Sequence, residues 1–105
     1  MAYPTAEEIA TKIEFIHNSS FGGKTRGRFR IEDDLMRELC GRPGRLEDKT
    51  FEAIRKACAD LGFKITRLKE YGCYAVMEIK KMVAWRKLTV RALNEIRKDE
   101  YWDWK

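Results

Sequence analysis

The chain is expected to fold as one α+β domain, on three observations. Apolar residues recur at helical spacing in three segments before Gly62 and in one near the C-terminus. Residues 63–82 instead read as two strands around a Tyr71-Gly72 turn, and a further short strand, Arg28–Ile31, precedes the second helix. A length of 105 residues fits one domain and leaves no room for a second.

Thr5 and Glu8 form a Thr-x-x-Glu capping box, with Pro4 ahead of it to stop any earlier helix. Ile9, Ile13 and Ile16 follow at helical spacing, so the first helix is predicted over Ala6–His17. Asn18 to Gly27 is a loop by composition and the best candidate for a mobile stretch. Asp33 or Glu32 can cap a second helix, Asp33–Cys40, which is expected to bury Leu35, Met36 and Leu39 and to end near Gly41. Pro43-Gly44 makes Arg42–Arg45 a turn, because that pair cannot continue a helix. The third helix, Leu46–Leu61, carries Phe51, Ile54, Ala57, Cys58 and Leu61 on one stripe, with Gly62 in a C-terminal capping position. Lys49, Glu52, Ala53 and Lys56 project from its opposite side. Strands Phe63–Glu70 and Cys73–Met82 are joined at Glu70-Tyr71-Gly72. A last helix, about 86–101, places Leu88, Ala92, Leu93 and Ile96 on one face, with Thr89 available as a cap and Trp102 and Trp104 in the tail.

From Arg28 to Met82 this order of elements resembles a winged helix-turn-helix, here with an additional helix at each end. The resemblance is one of fold pattern. In that family the second helix of the pair enters a DNA groove and the hairpin grips the flanking backbone. It implies that Lys49 and Lys56 reach phosphate or guanine edges and that Glu52 accepts from cytosine N4. Arg42 and Arg45 in the turn would hold phosphates, and Lys64, Arg67, Lys69 and Lys80 would form the wing contacts, with Lys81 beside them. The implied role is a small DNA-binding transcriptional regulator of phage, plasmid or microbial type. It would act on double-stranded DNA as a homodimer, through Trp85, Leu88, Ala92, Leu93 and Ile96, with no cofactor and no metal.

The segment Lys24–Arg30 supports that reading from the residues alone. It places four cations in seven residues, and a strip such as Arg28 and Arg30 can follow a nucleic-acid backbone. Phe29 alternates with those two at strand period and is expected in the core. Overall, 22 Lys and Arg against 17 Asp and Glu leave +5, a surplus that suits a polyanionic partner. The rival reading is a protein-interaction module of the same fold that inhibits or tethers a host protein complex. Asp48, Glu52 and Asp60 on the third helix favour the rival, since a groove-binding surface is usually poorer in acids.

Other chemistries find little purchase. Cys40, Cys58 and Cys73 are odd in number and form no Cys-x-x-Cys, which argues against a zinc knuckle or redox pair and for a reducing, cytoplasmic setting. Cys58 falls on an apolar face, where a thiol acts as a small hydrophobe. His17 is the only histidine, so a His-paired nucleophile is not expected, and at a helix end it is expected to meet the C-terminal dipole. Glu32, Asp33 and Asp34 lie at a helix start, which stabilises negative charge without any catalysis. Gly23-Lys24-Thr25 has the ending of a phosphate-binding loop, but Asn18 stands where that motif needs glycine and a helix precedes it where a strand is required. No signal-peptide pattern occurs, and no apolar run reaches the ~18 residues of a membrane span.

Overall fold

A computed structural model of the protein describes residues 3–42, 44 and 46–98. The expectations placed on Pro43, Arg45, Trp102, Trp104 and the last turn of the C-terminal helix lie outside those residues. The described chain is mixed α+β, with five α-helices and two small antiparallel sheets.

Helix α1 covers Ala6–His17, the expected span. Thr5 is its N-cap, and its hydroxyl oxygen accepts from the Glu8 N–H at 3.1 Å. The following segment is not plain loop. Ser20–Phe21 (β1) and Lys24–Thr25 (β2) pair as a two-residue hairpin whose turn residues, Gly22 and Gly23, both have positive φ. That is the backbone a tight hairpin turn requires and glycine supplies without strain. Phe21 then meets Phe29 edge-on at 5.5 Å.

Strand β3 is Phe29–Glu32 and helix α2 is Asp33–Cys40. Glu32 holds the N-cap position but makes no side-chain cap bond. The Asp33 N–H instead donates to the Gly72 carbonyl at 3.0 Å, which pins the start of α2 to the distant hairpin. So held, α2 turns Met36 and Cys40 into the core and leaves Leu39 half-buried; Leu35, expected inside, is 52% exposed.

Helix α3 spans Asp48–Asp60, two residues shorter at its start and one at its end than expected. Ile54, Ala57 and Cys58 are buried and Phe51 is half-buried, but Leu61 has left the helix as its C-cap and is 40% exposed. Strands β4 (Phe63–Leu68) and β5 (Cys73–Glu78) pair in register from Phe63↔Glu78 to Leu68↔Cys73. Residues Lys69–Tyr71, read as strand and turn, form a single 3₁₀ turn, because the ladder ends at Leu68.

Beyond Glu78 the expected strand to Met82 is replaced by helix α4, Ile79–Val83. The reason is a missing neighbour. β4 begins only at Phe63, so the Ile79 N–H takes the Gly62 carbonyl at 2.9 Å and nothing remains to pair with the next residues. Helix α5 covers Val90–Arg97, with the Thr89 hydroxyl accepting from the Ala92 N–H at 3.1 Å.

The larger sheet has the order β3-β5-β4. Its inner face, Ile31, Phe63, Ile65, Tyr74 and Val76, meets Ile9 and Ile13 of α1 and Ile54 of α3, with Phe29 packed against this cluster. Burying each isoleucine there is worth about 1.5–3 kcal/mol. Its outer face carries Lys64 and Thr66 on β4 and Arg30 on β3. The radius of gyration is 18.0 Å, against ~13 Å for a compact chain of this length.

Candidate nucleic-acid interface

α3 and β4 run antiparallel, so the end of α3 at Asp48 lies by the hairpin tip and its other end leads into the base of the sheet. Lys49, Glu52 and Lys56 are exposed on α3, as expected. Glu52 is already occupied. Its carboxylate accepts from both Nε and Nη2 of Arg55, the former at 3.0 Å. The Arg55 guanidinium holds the Glu52 carboxyl below the usual carboxylate range, with Lys56 and Lys64 pulling the same way. Glu52 in turn pushes Arg55 higher. Four groups thus share one strip along α3 and β4, of which Arg55 was not foreseen. An acid and a base three apart on a helix are neighbours, so that pair was readable from spacing.

Lys49 belongs to a second group. It shares a shallow cavity of about 270 Å³ with Arg42, Pro4 and Ala53. The Arg42 guanidinium lies 4.6 Å over the Tyr3 ring, and its Nε is buried without a hydrogen-bond partner. Arg42 is thus held against the N-terminal segment, at the α2–α3 junction.

The four residues expected on a wing separate. Arg67 Nη1 contacts Asp48 at 3.0 Å, Nη2 donates to the Leu46 carbonyl at 3.1 Å, and the guanidinium sits 5.7 Å over Tyr74. Only 12% of its side chain is exposed. These contacts tie the start of α3, which has no side-chain cap, to the hairpin. Lys69 stands at the hairpin tip with Arg37, Arg67 and Asp33 around a cavity of about 330 Å³. Lys64 is at the opposite end of the hairpin, across from Met77. Lys80 lies beyond the sheet on α4, its Nζ 3.6 Å from Glu78, and Lys81 donates to the Arg26 carbonyl at 2.8 Å.

Arg28 and Arg30 belong to the far edge of the sheet. Arg30 pairs with Glu32 at 3.1 Å and lies across β5 from Thr66. That puts it two strand spacings, roughly 10 Å, from β4 on the outer face. Arg28 lines a cavity with Lys24, Met77, Lys81 and Trp85. Trp85 and Leu88 therefore precede α5, with Trp85 beside the domain's own sheet; Ala92, Leu93 and Ile96 are on the helix.

The interior holds the remaining reactive groups. His17 is 2% exposed, edge-on to Phe63 at 4.8 Å, with Nε2 3.1 Å from Glu78 and Nδ1 3.2 Å from Asn18. It stands in the last turn of α1, as expected, and is there a core residue facing a carboxylate. Burial pushes the Cys58 thiol up to about 11 and raises that of Cys40 against the pull of Arg42 and Lys12. Protonated, enclosed thiols are poor nucleophiles. Among the described residues no group of His, Cys, Asp or Glu is placed to hold a metal ion, and no helix is long and apolar enough to cross a membrane. What the exposed arrangement offers is charge and hydrogen-bond donors on one helix and the adjoining sheet. Comparison with protein-family models, curated proteins and solved structures finds no match for the chain.

Proposed function

We propose that the chain is a winged-helix DNA-binding protein, a small transcriptional regulator that lays the exposed face of α3 in a groove of duplex DNA. One observation carries the reading: elements α1, β3, α2, α3, β4 and β5 follow in that order and the sheet runs β3-β5-β4. That is the order and pairing in which a helix pair and a hairpin flank one solvent-facing helix. Lys49 and Lys56 lie two turns apart on it, roughly 10 Å along the axis. Lys64 lies beside them on β4, and the Arg55 guanidinium pairs the Glu52 carboxylate that stands between the two lysines. Lys69 and Arg37 supply backbone contacts at the hairpin tip, and Arg67 acts by positioning α3.

Replacing both Lys49→Ala and Lys56→Ala tests this directly. Each lost contact should cost on the order of 1–3 kcal/mol of duplex binding, while the melting temperature stays unchanged because both side chains are exposed. A folded double variant with wild-type affinity for duplex would remove α3 from the interface. The rival, a protein-interaction module, draws on one feature: Asp48 and Asp60 flank the lysines at the two ends of α3. It predicts that the same variant loses a protein partner and leaves duplex binding negligible throughout.

A further inference from the structure

The corner where β5 turns into α4 is built against a strained loop. Arg26 has φ 62°, and among the described residues no other non-glycine lies in the left-handed region, which side chains rarely adopt. Both of its main-chain groups are held. Its N–H donates to the His17 carbonyl at 3.1 Å, and its carbonyl accepts from Lys81 Nζ at 2.8 Å. Lys24 lies back over Gly27, where a Cβ would stand 3.2 Å from the lysine Cδ. The loop so fixed closes a cavity of about 250 Å³ whose walls include Lys24, Arg28, Lys81, Met77 and Trp85.

Charge, an aromatic ring and two buried polar atoms restrict what this cavity takes. Lys24, Arg28 and Lys81 stand against one acid, Glu78, and its carboxylate already lies 3.1 Å from His17 Nε2 and 3.6 Å from Lys80 Nζ. The balance selects an anion. Trp85 is 59% exposed beside Met77, so an aromatic face and a thioether are open to a flat ring. On the floor, neither His17 Nε2 nor Glu78 Oε2 makes a hydrogen bond, although both are buried. A base edge presents donors and acceptors together and can satisfy such a pair. The volume is below the ~300 Å³ at which pockets for whole small molecules begin, so the cavity suits one unit of a longer chain.

The track continues across the outer face of the sheet. Arg28 precedes the Phe29↔Val76 pair and so stands level with Met77, which pairs on its other side with Lys64. Arg28 and Lys64 are therefore two strand spacings, roughly 10 Å, apart on that face. We infer that this corner and the adjoining sheet face bind single-stranded nucleic acid, with one base stacked on Trp85 and phosphates held by Lys24, Arg28, Lys81 and Lys64. Lys81 keeps two N–H donors for a phosphate beside the one given to Arg26. A duplex does not fit this contact, because its bases are already stacked on one another and stacking on Trp85 needs an open base. The inference goes beyond duplex recognition by α3 and does not depend on it.

Fluorescence anisotropy of the full chain with a labelled oligothymidylate about 12 nucleotides long, within the site sizes of single-strand binders, tests it. Four neutralised phosphates at about −0.7 each should give log K against log salt a slope near −3. Trp85→Ala should weaken binding about 5- to 150-fold, the loss of one base stack, with unchanged melting and unchanged affinity for duplex. Trp85→Phe should recover most of that loss. Arg28→Ala should reduce the salt slope by about 0.7. Inorganic polyphosphate, which has the charges without the bases, should compete at least ~10-fold less well than unlabelled oligonucleotide. No binding at low salt, wild-type affinity in the Trp85→Ala protein, an unfolded Trp85→Ala protein, an equal loss of duplex binding, or equal competition by polyphosphate would each overturn the assignment.

Discussion

Arg67 shows how the role of a charge depends on what its neighbours leave free. A cation on a predicted wing is a reasonable phosphate contact until the fold sets it beside Asp48, the Leu46 carbonyl and Tyr74. The ion pair alone is worth little, because Asp48 is exposed. The bond to a main-chain carbonyl and the packed guanidinium carry more. Arg67→Ala should therefore lower the unfolding free energy by about 1–2 kcal/mol in a urea titration, where Lys56→Ala changes it by less than ~0.5 kcal/mol. Equal stability of the Arg67→Ala and wild-type proteins would return Arg67 to the open surface. Neither Arg67 nor His17 was legible in the sequence. Both are defined by partners far along the chain, and no local spacing encodes such a meeting.

At the scale of elements, the legible parts were those with local punctuation. Thr5 and Glu8 fixed the start of α1, and Gly41 and Gly62 marked where α2 and α3 stop. What escaped depended on pairing. Whether Ile79–Met82 continues a strand is decided by where β4 begins, and Leu35 stays outside because α2 seats Met36 and Cys40 in the core. The charged residues were legible as exposed positions on α3, but their division between helix, hairpin tip and far sheet edge was not. The two threonine caps make the role of tertiary coupling measurable. Thr5→Ala and Thr89→Ala each delete one hydroxyl acceptor at 3.1 Å. Because α1 packs along α3, Thr5→Ala should cost about 0.5–2 kcal/mol of global stability. α5 buries none of its residues, so Thr89→Ala should leave the domain's melting nearly unchanged. Equal losses from the two variants would show that α5 belongs to the core.

For the whole molecule, charge and shape act together. Cations stand on the α3–β4 strip, at the hairpin tip and at the outer sheet edge, while α2 carries three acids against Arg37. In the proposed DNA-binding mode a duplex against α3 meets the first two groups. Binding of this kind releases counterions, which makes salt the most direct probe of the proposed function. Titration of duplex DNA across a range of monovalent salt should give log K falling against log salt with a slope of about −4 to −5, if about five phosphates are neutralised. A slope near zero, or no duplex binding at low salt, would contradict a DNA-binding role for this chain.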